Sequence, residues 1–159
     1  MGAFLLRTAR PGDAATICGF VRDLARYEHL EHEMLATPEL IGEALFGTHP
    51  KAFAMIAEVQ GSPAGFALCF YNFSSFIGRA GIYIEDIYVD PAHRKRGIGR
   101  AIFKALAKRA VAENCGRMEW SVLNWNKPAL EFYASLGAKP MDAWQIQRLT
   151  GESLKALAA

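Results

Sequence analysis

The chain predicts an α/β fold in which helices cover both faces of a central mixed sheet. Two stretches carry that expectation. Between residues 82 and 123 a β-branched and aromatic run, a glycine-containing loop, an amphipathic helix and a second apolar run follow one another. That is the pattern of a βαβ unit, whose two strands lie parallel with a right-handed crossover. Between 53 and 71 two apolar runs flank Gly61-Ser62-Pro63, the pattern of an antiparallel hairpin. Parallel and antiparallel pairs in one sheet make it mixed. Length and composition agree: 159 residues, 52% of them hydrophobic and 21% charged, suffice for a single domain over 1–159 with its own core.

The elements follow in order. Residues 4–7 form a short strand. Asp13 is placed to cap a helix whose Ile17, Phe20, Val21 and Leu24 make one apolar stripe. Thr37 caps a second helix with Pro38 in its first turn. Strands at 53–59 and 65–71 make the hairpin. Residues 82–89 are the central strand, closed by Asp90-Pro91. The helix from 97 to about 113 carries Ile98, Ile102, Phe103, Leu106 and Ala110 on one face, and Asn114 and Gly116 end it. A strand at 118–123 follows. Asn126 then caps a helix that runs through Leu136 and stops at Gly137. Residues 144–149 read as a last strand, and the C-terminus as a short helix or frayed tail.

Several function classes are disfavoured. The formal net charge is +2, so no overall field argues for nucleic acid or membrane. The local cluster Arg94, Lys95, Arg96, Arg100, Lys104, Lys108 and Arg109 lacks interleaved aromatics, and its rear half has the spacing of a solvated helix face. Cys18, Cys69 and Cys115 are odd in number, far apart and set among apolar residues; they read as buried thiols in a reducing compartment. No apolar run reaches membrane-spanning length, and no cationic segment followed by an apolar run opens the chain. The cytoplasm is the expected location.

The chemistry concentrates at Ile82-Tyr-Ile-Glu-Asp-Ile-Tyr-Val-Asp-Pro-Ala-His-Arg-Lys-Arg-Gly-Ile-Gly99. A strand leads into a basic loop, and Gly97-Ile98-Gly99 opens a helix. Bare backbone N–H groups and a helix N-terminus beside a basic cluster suit a phosphorylated ligand. In a sheet of this kind, ligands bind at the carboxyl ends of parallel strands, where this loop falls. The P-loop pattern is absent, and Ile102 stands where a dinucleotide fingerprint needs its third glycine. The plainer alternative is a glycine-softened turn with a solvated basic face.

The spacing Arg94-x-x-Gly97-x-Gly99 resembles the pyrophosphate loop of the GNAT N-acetyltransferases, and the order of elements is similar to that fold over nearly the whole length. Ala25-Arg-Tyr-Glu-His-Leu-Glu31, Tyr83-Ile-Glu-Asp-Ile-Tyr-Val89, Arg94-Lys-Arg-Gly-Ile-Gly99 and Trp125-Asn-Lys-Pro-Ala-Leu-Glu-Phe-Tyr133 resemble the diamine (spermidine/spermine) N-acetyltransferase branch and its thialysine-acetylating relatives. Phe73-Ser-Ser-Phe76 departs from it, standing where those enzymes often carry a Trp.

The resemblance implies a GNAT fold with a splayed parallel strand pair, and acetyl-CoA as co-substrate without a metal. It implies that Arg94, Lys95, Arg96, Gly97, Ile98, Gly99 and Arg100 wrap the pyrophosphate. The pantetheine arm would pair with backbone at Ile87, Tyr88 and Val89, and Asn126 would touch it. Glu85 would bind the substrate ammonium and take its proton, directly or through water. Tyr133 would protonate the leaving thiolate, and Tyr27 and Glu28 would form an acidic lip, with Glu31 extending the path. The family further implies a small di- or polyamine or lysine-like substrate, and a homodimer.

Each of these residues also has a structural reading. Asn126 could serve only as a cap, and Leu130, Tyr133 and Leu136 have core spacing. Strand alternation puts Glu85 and Asp86 on opposite faces, and Asp86 reads as structural, bonding backbone at a bulge. Residues 27–33 could be a solvated helix end; His29 and His32 lack the third ligand that a metal site needs. A peptide N-acetyltransferase and a non-catalytic acetyl-CoA-binding module are the alternative functions.

Overall fold

Five strands build one sheet in the order β1-β2-β3-β4-β5. They are Phe4–Thr8, Phe53–Val59, Ser62–Ser74, Arg79–Val89 and Met118–Trp120. This computed structural model describes residues 3–159. The first four strands pair antiparallel in sequence order, and only β4 and β5 are parallel. The sheet is therefore mixed, as the sequence predicts.

The chain divides into two compact units, one ending at Ser121 and one running from Val122 to Ala159. In the first, α1 (Ala14–Tyr27) and α2 (Pro38–Phe46) precede β2, and α3 (Ile98–Ala112) connects β4 to β5. Helix α1 buries the predicted stripe: Ile17 and Phe20 join Ile56, Phe66 and Tyr88 in a core cluster, with Val21 and Leu24 packed against it. The Phe20 ring stacks on Phe66 at 5.5 Å. All five residues predicted for the apolar face of α3 are buried. Alternate residues of the sheet, Ala67, Cys69, Ile82 and Ile84, are buried as well. A side chain at Gly65 would strike the Tyr88 carbonyl at 2.7 Å, so only glycine lets β3 and β4 approach there.

Thr37 caps α2 as expected, accepting from Leu40 N at 3.3 Å. Asp13 does not cap α1. Its carboxylate accepts from Arg7 Nη1 and Nη2 at 2.7 and 2.9 Å and from Arg10 N at 2.6 Å, which ties the turn before α1 to β1. A charged donor outcompetes a helix amide for that carboxylate. Cys18 and Cys69 are buried, but Cys115 is only half-buried, because it lies in the turn just after α3.

The second unit holds α4 (Lys127–Ser135) and α5 (Gly151–Ala158). Asn126 caps α4 as predicted, accepting from Ala129 N at 3.3 Å, and Gly137 follows with φ +86°. The strand expected at 144–149 does not form; the segment is irregular and α5 follows it. Alternation identifies a face, but a strand also needs a neighbour to complete its ladder. Among the described residues no helix is long and apolar enough to cross a membrane.

Candidate active site

The loop after β4 is set by backbone geometry. Asp90 accepts from Ala92 N at 2.8 Å and starts a single 3-10 turn over Pro91–His93. Lys95 and Gly97 then adopt positive φ, +61° and +85°, which curls the chain into the start of α3. The N-cap of α3 is Gly97 itself, so no cap side chain accepts from the first helix amides. A Cβ built at Gly97 would meet no protein atom within 4 Å. The glycine is thus required for its backbone angle, and the space beside it is open. Lys95, Gly97 and Arg100 are exposed, Arg96 and Gly99 half-buried, and Ile98 anchors the first turn in the core.

Arg94 and Arg96 brace the loop locally. Arg94 donates from Nε to the Val89 carbonyl at 2.9 Å, and its guanidinium lies 5.1 Å from the Tyr27 ring centre and 5.5 Å from that of Tyr88. The Arg96 guanidinium sits 3.1 Å from His93 Nδ1. Arg94 therefore braces the loop against both β4 and the end of α1.

Strand β4 pairs with β5 only through Ile82, Tyr83 and Ile84. Beyond Ile84 it runs on to Val89 with β3 on one side and, among the described residues, no strand on the other. The parallel pair parts where Glu85, Ile87, Tyr88 and Val89 lie. At the same level the β3–β4 ladder shifts register: Leu68 faces Asp86, whereas Cys69 faces Ile84. Glu85 is the extra residue of this bulge, and simple alternation fails there. Glu85 is exposed and Asp86 half-buried. Burial pushes the Asp86 carboxyl up to about 6, helped by the charges of Glu85 and then Glu28. Burial also raises Glu28. Among the described residues no hydrogen bond joins the side chain of Glu85 or Asp86 to backbone. Glu85 and Glu28 both act on the Asp86 carboxyl through their charge.

The residues of the predicted lip lie at the end of α1. Tyr27 ends α1, and Glu28 follows it, half-buried. Glu31 pairs with Arg26 at 3.1 Å, both side chains exposed. His32 lies 3.9 Å from Glu33, and among the described residues no group of three or more His, Cys, Asp or Glu is placed to hold a metal.

In the second unit Asn126 is buried at the start of α4, with Tyr133 half-buried two turns further on and its ring 5.6 Å from that of Phe132. Leu130, predicted to share a core face with Tyr133, is exposed.

Sequence reasoning missed two features of the first unit: the Arg94 stack on Tyr27 and the placing of Asp86. Two consecutive acids inside an apolar strand were the available signal for the second, since a regular strand would bury one of them without a partner.

The chain matches the acetyltransferase (GNAT) family over residues 18–138. It is 34% identical over 169 residues to a thialysine N-epsilon-acetyltransferase of Sus scrofa, covering 99% of each chain. It is 29% identical over 197 residues to an L-ornithine N5-acetyltransferase of Arabidopsis thaliana, covering 96% of this chain and 86% of the relative. Among solved structures, an integron cassette protein from the mobile metagenome of V. cholerae superposes with a TM-score of 0.81 at 25% identity, covering 99% of this chain and 98% of the other.

Proposed function

This chain belongs to the acetyltransferase (GNAT) family, and from that premise we propose that it moves the acetyl group of acetyl-CoA to a primary amine of a small substrate bearing a second cation. Diamines, polyamines and lysine- or thialysine-like amino acids have that form. The observation that carries the reading is Asp86 beside the Arg94 loop, half-buried, with the charges of Glu85 and Glu28 acting on it. Two relatives are named for thialysine and ornithine, which fits a substrate with two amines.

The residues suit acetyl-CoA. The vacant side-chain position at Gly97 leaves room for a pyrophosphate against backbone N–H groups. Among the described residues the edge of β4 beyond Ile84 has no neighbouring strand, so Ile87, Tyr88 and Val89 can pair with an extended arm. Arg94, Lys95, Arg96 and Arg100 supply cations around the loop, with Ile98 and Gly99 in the first turn. Asn126 touches the arm while it caps α4.

When bound, the thioester supplies an activated acetyl group. An alkylamine has a pKa of roughly 10 and arrives protonated. Tyr27 and Glu28 receive the far cation, and Glu85 grips the reacting ammonium and passes its proton on, directly or through water. The amine then attacks in a single displacement, and Tyr133 donates to the leaving sulfur. We further propose a homodimer in the cytoplasm, acting without metal, nucleic acid or membrane. A thiol-release assay with acetyl-CoA against a panel of amines tests the reading. Diamines and diamino acids should be acetylated with clearly higher kcat/KM than monoamines of like length. Equal values, or a preference for a peptide N-terminus, refute it.

A further inference from the structure

We propose that Asp86 is the group on which the proton of the substrate ammonium comes to rest. The inference depends on the acetyltransferase reading above and adds a residue to its site.

The register of the sheet places it. Asp86 stands opposite Leu68 and two residues before Tyr88, and both belong with the core cluster beneath α1. It therefore lies on the α1 side of β4, the side on which Glu28 follows the last turn of α1. The bulge pushes Glu85 outward, exposed, and keeps Asp86 inward. Adjacent carboxylates thus meet the substrate at two depths.

Charge supports the same assignment. Asp13, Glu31, Glu58 and Glu113 each have an arginine partner. Among the described residues no ion pair joins a cationic side chain to Glu28, Glu85 or Asp86. The groups that face Asp86 are Glu85 on its own strand, Glu28 from α1 and Cys69 from β3. The thiol of Cys69, pushed up to about 12 by burial, stays neutral. An acid in such company is open to a ligand cation as its counter-charge. Its proton affinity, raised to about 6, makes it a better acceptor than a solvated carboxylate while leaving it ionised at neutral pH.

The step balances. The ammonium gives one proton to an Asp86 Oδ. The freed lone pair forms the C–N bond as the C–S bond breaks. The second proton leaves nitrogen for the thiolate by way of Tyr133, and Asp86 returns its own to water. One thiol and one proton are released for each acetyl transferred.

The test is kcat/KM for a diamine from pH 5 to 9 in wild type, Asp86→Asn, Glu85→Gln, Glu28→Gln and Asp86→Glu. Wild type should show an acid limb near pH 6. Asp86→Asn should lose that limb and about a hundredfold or more in kcat, with acetyl-CoA affinity kept. Glu85→Gln and Glu28→Gln should move the limb to lower pH, because each removes a charge that raises Asp86. Asp86→Glu should restore it. A limb that persists in Asp86→Asn, or that vanishes with Glu85 alone, overturns the proposal. Should Asp86→Asn fail to bind acetyl-CoA, the carboxyl carbon resonance of Asp86 in wild type decides instead. Its midpoint should fall when diamine is added, and an unmoved midpoint at saturation overturns the proposal. Wild-type protein that neither binds nor acetylates any amine fails the broader reading, a separate result from the loss of Asp86 alone.

Discussion

Gly97 is the residue whose two properties can be separated. Its φ of +85° penalises any side chain, and its surroundings leave a Cβ untouched. Gly97→Ala should therefore cost the free protein only about 1–3 kcal/mol of strain, read as a modest fall in melting temperature. Acetyl-CoA affinity should drop roughly tenfold or more, since a methyl group intrudes on the ligand's space. Calorimetry on the folded variant checks it, and wild-type affinity would remove the loop from the cofactor site. Tyr133→Phe keeps the ring beside Phe132 and removes one hydroxyl. It should lower kcat by about 10²–10⁴ with melting temperature and acetyl-CoA affinity unchanged. Wild-type turnover in that variant would leave Tyr133 as packing.

Elements differ in how they were legible. The five apolar residues of α3 were readable because a helix that crosses over a sheet must bury one stripe, and all five are buried. The caps Thr37 and Asn126 were readable because they act within three residues of their acceptors. Asp13 was not, because its partner Arg7 lies on a strand and sequence spacing says nothing of that meeting. That pair carries a prediction of its own. Arg7 holds the Asp13 carboxyl at about 2, below its usual 3.8. A lowered carboxylate stabilises the fold above its unfolded value and loses that contribution as pH falls toward the folded one. Asp13→Asn should cost about 1–3 kcal/mol at neutral pH. In thermal melts, the gap between variant and wild type should shrink below pH 3.8 and close near pH 2. A gap that is constant with pH would assign the stabilisation to something other than the ion pair. The bulge at Glu85 was hidden for a related reason, since register is a property of two strands.

At the scale of the whole molecule, the mixed sheet and its order of elements were legible almost throughout, while the end of the chain was not. Residues 144–149 alternate like a strand, yet Trp144 and Ile146 are 71% and 75% exposed and pair with no strand. Large apolar groups left in water mark a surface that another molecule covers. On the proposed homodimer that molecule is a second copy. Sedimentation at micromolar concentration should give a dimer, and Trp144→Ser with Ile146→Ser should shift it toward monomer. A monomeric wild type would refute the dimer.

Arg94 has a consequence for the order of events. It touches Val89 on the strand proposed to carry the arm, Tyr88 in the core, and Tyr27 at the lip proposed to take the amine. A guanidinium that lies with its face over Tyr27 can still donate its in-plane Nη hydrogens to a phosphate. A phosphate held there would fix the guanidinium, and with it the Tyr27 side of the lip. The two ligands then bargain through a shared side chain, and thermodynamic linkage makes the exchange reciprocal. The factor by which CoA alters diamine affinity must equal the factor by which the diamine alters CoA affinity. Tyr27→Ala, which frees Arg94 from its resting place, should bring that common factor to one.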